Sequence, residues 1–306
     1  MRVGAVQLEA LPADVDANLE ASERLCDAAA AQGAEAIVLP EFFTTGIGFL
    51  PELVDAALPP DGAATQLLQA LARRHGALVG GSFLCRDGDG HIRNAFFLAR
   101  PDGTLAGRHD KDLPTMWENC FYVGGSDDGV VEARPDLTVG LAVCWELMRT
   151  QTVRRLAGRV DLVLAGSGWW SVDESWPPRA LMRGLERRNA VVARRAAEAF
   201  ARYVGAPVAH AAHAGRLQCA MPWLPLRYDG RFEGNTVVVD ADGTVLARRD
   251  ASEGAGVIVA DVQPRRVDPL PAPGRFWLHH RGALPAFVWN YQRAHGRRWY
   301  RRHVRA

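Results

Sequence analysis

Cys144 closes a run of small and β-branched residues, Leu137 to Val143, and a helical pattern begins at once with Trp145. A cysteine at the carboxyl end of a buried strand, on the turn into a helix, sits where open α/β sheets hold their ligands. Helix amide groups aimed at it favour a thiolate. A free cysteine is equally at home as a small buried hydrophobe. The residues elsewhere in the chain have to decide between the two.

Attack by cysteine needs thiolate character, a base to move protons and a stabiliser for the developing oxyanion. The 306-residue chain holds 36 Lys and Arg residues, of which Lys111 alone is lysine. Where arginine serves every generic surface role, one lysine suits a site that needs a compact ammonium and not a planar guanidinium. Glu41, at the end of a strand after Pro40, can accept the thiol proton and later activate water. Lys111 can stabilise thiolate and oxyanion, and the backbone N–H of Trp145 is a second oxyanion donor. Glu118, seven residues after Lys111, can hold the lysine or bind the substrate nitrogen. Two carboxylates beside one lysine also separate acid from base roles. Each residue alone has a plainer reading: a turn cap for Glu41, a solvated loop residue for Glu118. Glu146 is expected to be a first-turn helix carboxylate.

Positioning these groups requires strands that end together. Val3–Leu8 reads as a strand, Ala17–Ala31 as a helix, Ala36–Leu39 as a strand ending in Pro40-Glu41, and Ala63–His75 as a helix. Strands Leu78–Phe83 and Asn94–Ala99 follow, with a turn at Pro101-Asp-Gly103. The second half repeats these steps: strand Thr138–Val143, helix Glu146–Ala157, strand Leu162–Ala165 ending in Gly166-Ser-Gly168, helix Arg179–Tyr203, and strands Pro207–Ala212 and Thr236–Val239. The hairpins Asn94-Ala-Phe-Phe…Asp102-Gly-Thr-Leu and Asn235-Thr-Val-Val…Asp242-Gly-Thr-Val resemble each other. This predicts an internal duplication: two helix-covered sheets packed face to face in a four-layer α-β-β-α sandwich with a pseudo-twofold. One domain is expected over residues 1–265, followed by an extension over 266–306.

Hydrophobic content of 48% and charged content of 23% are those of a soluble globular chain. No signal-like segment opens the sequence and nowhere do 18 apolar residues run unbroken, so a cytoplasmic protein is expected. Five scattered cysteines without Cys-x-x-Cys spacing argue against a disulfide framework and a thiol zinc site. The net charge of +1 is uneven. Residues 270–306 hold eight arginines and no acid, which leaves −7 for the first 269.

Pro40-Glu41, Lys111-Asp-Leu-Pro114 with Glu118 and Phe121-Tyr-Val-Gly-Gly125, and Gly140-Leu-Ala-Val-Cys144-Trp-Glu together resemble the carbon–nitrogen hydrolase (nitrilase) superfamily. The similarity runs from Val3-Gly-Ala-Val-Gln7 to Val257-Ile-Val-Ala-Asp261. It implies the α-β-β-α fold, a Glu-Lys-Cys triad of Glu41, Lys111 and Cys144 with Glu118 as a supporting carboxylate, no metal or organic cofactor, and dimers or larger homo-oligomers. Cys144-Trp-Glu146 and Lys111-x-x-Pro-Thr-x-x-Glu118 look like the branch that includes true nitrilases. Leu147-Met-Arg-Thr-Gln lacks both the proline usual after the nitrilase cysteine and the Pro-Glu pair of many amidases. The expected activity is hydrolysis of a small amide through a cysteine thioester. A nitrilase, an N-acyltransferase using the same thioester, and a non-catalytic binding protein are the alternatives.

Trp169 and Trp170, in the loop Gly168–Trp176 with Asp173 and Glu174, are expected to wall the substrate pocket with Trp117. Dimer packing is the other use for such tryptophans. In the tail, Phe276-Trp-Leu, Phe287-Val-Trp-Asn-Tyr291 and Arg297-Arg-Trp-Tyr-Arg-Arg302 mix aromatics with arginine. An arm packed on the acidic body or on a partner subunit is expected, in preference to nucleic-acid or membrane binding.

Overall fold

The computed structural model describes residues 1–222, 225–279 and 282–304. Its first half runs β1 (Arg2–Leu8), α1 (Val15–Ala31), β2 (Ala36–Glu41), α2 (Ala63–His75), β3 (Leu78–Arg86), β4 (Ile92–Ala99) and β5 (Leu105–Asp110). The chain continues through β6 (Val130–Arg134), β7 (Leu137–Val143), α3 (Thr150–Leu156), β8 (Leu162–Ser167), α4 (Arg179–Val204) and β9 (Val208–His213). A hairpin, β10 (Arg216–Ala220) and β11 (Arg227–Arg231), stands outside the main sheets. It precedes β12 (Gly234–Val239), β13 (Val245–Asp250), β14 (Gly256–Asp261) and α5 (Ala283–His303).

Strand order repeats between the halves. In the first, β14-β1-β2-β3-β4-β5 has β1, β2 and β3 parallel, with β14, β4 and β5 antiparallel to their neighbours. In the second, β6-β7-β8-β9-β12-β13 has the same pattern. This is the expected duplicated α-β-β-α sandwich. The two sheets also merge at one end, where Gln7 and Leu8 of β1 pair in parallel with Ala212 and His213 of β9.

Alternation explains the layers. In β2, Ile37 and Leu39 pack toward α1 and α2, against Cys26, Ala29, Leu68 and Leu71. Ala36 and Val38 face the other way, into a core shared with Leu141, Leu162 and Leu164 of the second sheet. Between the sheets the backbones nearly touch at Gly166. A Cβ there would lie 2.7 Å from the Glu41 nitrogen and 2.8 Å from the Leu39 oxygen. Any larger residue would separate β8 from β2 and pull apart the strand ends that carry the site.

One expectation needs correction. Residues 146–157 do not form one helix. A 3₁₀ turn, Cys144–Met148, is followed by an extended Arg149 (φ −100°, ψ 131°) and then α3. The break is imposed from far along the chain. Leu278 N donates to Met148 O at 2.6 Å and Thr150 N to Phe276 O at 3.1 Å, so the tail pairs with this segment like a strand. The long α4 matches its expected span, but Leu181 is exposed and Leu185 only partly buried. Its apolar contact comes from the second half, through Ala193, Ala196, Ala197 and Phe200.

The tail lies on the body. Gly296 of α5 packs against Asn119 and Cys120 in the 3₁₀ turn Met116–Cys120, and Trp299 meets Phe49 and Phe121 edge-on. Tyr300 Oη accepts the N–H of Ile92 at 3.1 Å. Among the described residues no helix is long and apolar enough to cross a membrane.

Candidate active site

Three chain segments bring Glu41, Lys111, Glu118 and Cys144 together, and each of the four side chains is at most 1% exposed. Glu41 ends β2, and the chain turns sharply after it at Phe42 (φ 54°). Cys144 follows β7 and itself adopts φ 54°, a left-handed conformation that non-glycine residues rarely take and that clusters at functional sites. Lys111 follows β5, and the next turn, Met116–Cys120, carries Glu118.

Lys111 Nζ bridges the carboxylates, donating to Glu41 Oε1 at 2.8 Å and to Glu118 Oε2 at 2.7 Å. Burial works against its charge, but Glu118 and Glu41 outweigh burial and raise its pKa well above the ordinary lysine value. Glu41 Oε1 also accepts from Asn94 Nδ2 at 2.8 Å, and its Oε2 from the Gly168 N–H at 2.8 Å. All of these donors hold the carboxylate in one rotamer. Glu118 Oε2 accepts from Thr115 N at 2.8 Å and from the Tyr122 hydroxyl. Its Oε1 is buried without a hydrogen-bond partner among the described residues. Burial lifts the Glu118 pKa to about 7, against the pull of Lys111.

Cys144 departs from the expected thiolate. Burial pushes its pKa well above the ordinary thiol value. The nearby Glu41 and Glu118 carboxylates push it further, against Lys111. A five-residue 3₁₀ turn, in place of a long helix, also supplies little dipole to counter them. The resting group is therefore a thiol beside a carboxylate, a nucleophile that sheds its proton as it attacks.

Glu146 is not a solvated first-turn carboxylate. It is 1% exposed, and its Oε2 accepts from Val143 N and His109 Nε2, both at 2.8 Å. Its Oε1 accepts from Asp112 N at 3.1 Å and Arg155 at 3.2 Å. Val143 precedes Cys144 and Asp112 follows Lys111, so one carboxylate clamps the backbone beside both. Despite burial, His109 and Arg155 hold its pKa far below the ordinary range. His109, Asn94 and Tyr122 were also missed. A polar residue within a buried strand pattern was the available signal for Asn94 and His109.

The expected aromatic wall divides in two. Trp169 lies 6.1 Å from Trp145, with its indole N–H donated to Asn189 at 3.0 Å. Trp117 and Trp170 stack on each other at 4.6 Å, with Tyr228 edge-on to Trp117 at 5.3 Å. Asp173 is spent on structure: its oxygens accept from Ser175 and from the Asp229 N–H. Among the described residues no group of three or more His, Cys, Asp or Glu side chains is placed to hold a metal.

A family model described as carbon-nitrogen hydrolase matches residues 2–272. The chain is similar to an omega-amidase of Yersinia enterocolitica, 32% identical over 57% of this chain and 66% of that protein, just short of two thirds of its length. It is also similar to a nitrilase of Pyrococcus abyssi, 29% identical over 61% of this chain and 72% of that one. Among solved structures, the amidase of Nesterenkonia sp. AN1 superposes with a TM-score of 0.66 at 23% identity, over 85% of this chain and 92% of that chain, a likeness of fold.

Proposed function

Because the chain belongs to the carbon–nitrogen hydrolase family, we propose that it is an amidase that cleaves a small non-peptide amide through a thioester on Cys144. The observation that carries this reading is the Lys111 ammonium held between Glu41 and Glu118, with the buried Cys144 thiol beside them.

As Cys144 Sγ bonds to the amide carbon, its proton passes to Glu41 and the carbonyl electron pair moves onto oxygen. Lys111 Nζ and the Trp145 N–H stabilise that oxyanion. The unpartnered Glu118 Oε1 accepts from the substrate amide N–H, while Oε2 fixes Lys111. Glu41 then protonates the nitrogen, the C–N bond breaks, and ammonia or an amine departs. A water gives its proton to Glu41 and attacks the thioester. Sγ leaves, recovers the proton, and the acid is released.

The amide reading is favoured over the nitrile by the omega-amidase similarity. A homo-oligomer is proposed from the family resemblance. The test is ammonia or amine release from a panel of amides and nitriles by wild type and Cys144→Ala. Release by wild type from amides, lost in the variant, supports the reading. Release undiminished in Cys144→Ala, or by wild type from nitriles alone, overturns it.

A further inference from the structure

The tail closes over the strand end that carries Cys144, and it leaves a cavity of about 430 Å³ beneath it. Two of its walls adjoin the reacting groups along the chain: Trp145 follows Cys144, and Leu113 lies two residues after Lys111. The remaining walls come from the tail. Trp289 stacks on Trp145 at 5.1 Å and 12°, and Trp277 stands edge-on to both, at 5.5 Å from Trp145 and 5.4 Å from Trp289. The three indoles are in mutual contact and so line the cavity as one aromatic wall, against which a flat apolar group can lie.

Among the described residues, Arg293 is the only charged one lining this cavity. It is half-buried and, among the described residues, pairs with no carboxylate; residues 270–306 contain no Asp or Glu. Burial and the neighbouring Arg297 both lower its pKa, as expected of a cation without a counter-charge. Arg149 nearby is in contrast already engaged, by Asp112 and by the Phe276 ring at 4.7 Å. A half-buried guanidinium lining the same cavity as this aromatic wall fits a carboxylate, which it can hold by two parallel hydrogen bonds.

We propose that this cavity recognises the end of the substrate remote from the scissile bond, and that it takes an aromatic or similarly flat body bearing a carboxylate, with the carboxylate on Arg293. The inference rests on the amidase reading for what happens at the other end. Trp277, Trp289 and Arg293 all lie beyond residues 2–272, so the specificity they confer belongs to this chain's extension and not to the part that matches the family.

Binding tests it without turnover. The intact protein is titrated calorimetrically with 3-phenylpropanoate and with its neutral counterpart 3-phenylpropan-1-ol. Wild type is expected to bind the acid at least tenfold more tightly. Arg293→Gln is expected to lose that preference, and Trp289→Ala to weaken both ligands. Equal binding of acid and alcohol, binding of neither, or a preference that survives Arg293→Gln overturns the inference. The two readings fail separately. Amide cleavage without acid preference removes only the recognition site, and an Arg293-dependent preference without any amide cleavage removes only the amidase.

Discussion

Nε2 of His109 donates to Oε2 of Glu146 at 2.8 Å, with both side chains sealed from solvent. Nδ1 of His109 donates to Asp127 at 2.5 Å, so both ring nitrogens are donors and the ring is an imidazolium. Through Glu146 this cation holds the backbone on either side of the site.

A pH dependence of stability follows. Burial alone would lower the His109 pKa, but Glu146 and Asp127 raise it to about 10 from 6.5. Stability from a raised pKa is complete below the unfolded value and is lost as pH rises through the folded value. Wild type should therefore lose this contribution between pH 6.5 and pH 10. His109→Gln should be less stable at pH 6 by about 3 kcal/mol, the cost of breaking a buried pair. The gap should close toward pH 10, as urea unfolding across that range would measure. A gap constant with pH would contradict the assignment.

Lys111 should not tolerate arginine. Nζ occupies a closed space between Glu41 and Glu118, which a guanidinium overfills and cannot serve as a point charge. Lys111→Arg should lower kcat about 100-fold or more, the scale of losing one oxyanion donor. Steady-state kinetics on any amide that wild type cleaves would show it. A variant within a factor of three would place the oxyanion elsewhere.

Glu118 should set the acid limb of the pH profile. Its pKa is lifted by burial to about 7, and its ionised form holds Lys111. Wild-type kcat/KM should rise as pH increases through about 7. In Glu118→Gln that limb should move by at least one pH unit, with activity at pH 8 at least tenfold lower. An unmoved limb assigns it to another group.

Gly296 should be intolerant of a side chain. An added Cβ would lie 2.6 Å from Asn119 Cβ and 2.9 Å from the Asn119 carbonyl carbon, in the turn that carries Glu118. Gly296→Val should lift α5 off that turn, cost about 1–3 kcal/mol as overpacking does, and open the tail to limited proteolysis. Unchanged melting and unchanged proteolysis would mean that α5 does not seat there.

The sequence made the main scaffold legible where burial and periodicity agree. Residues 63–75 read as a helix with the correct ends, and the strand ends at Glu41, Cys144 and Gly166–Gly168 were visible as β-branched runs stopped by polar or glycine residues. Strands with mixed exposure did not show. β5 (Leu-Ala-Gly-Arg-His-Asp) and β13 (Val-Leu-Ala-Arg-Arg-Asp) carry charge where an edge strand meets solvent, so no alternation marks them. The helix break at Arg149 was invisible because its cause, the Phe276–Leu278 segment, lies more than a hundred residues away. Glu146 misled for a related reason. A carboxylate in a first turn looks the same in sequence whether water or a buried histidine faces it.

The central claim is that Cys144 carries the acyl group. Wild type mixed with a cleavable amide, quenched in acid within the first turnovers, should gain the acyl mass in intact-protein mass spectrometry. Peptide mapping should place that mass on Cys144, and Cys144→Ala should show neither adduct nor product. Turnover with no adduct, or product release undiminished in Cys144→Ala, would contradict the account.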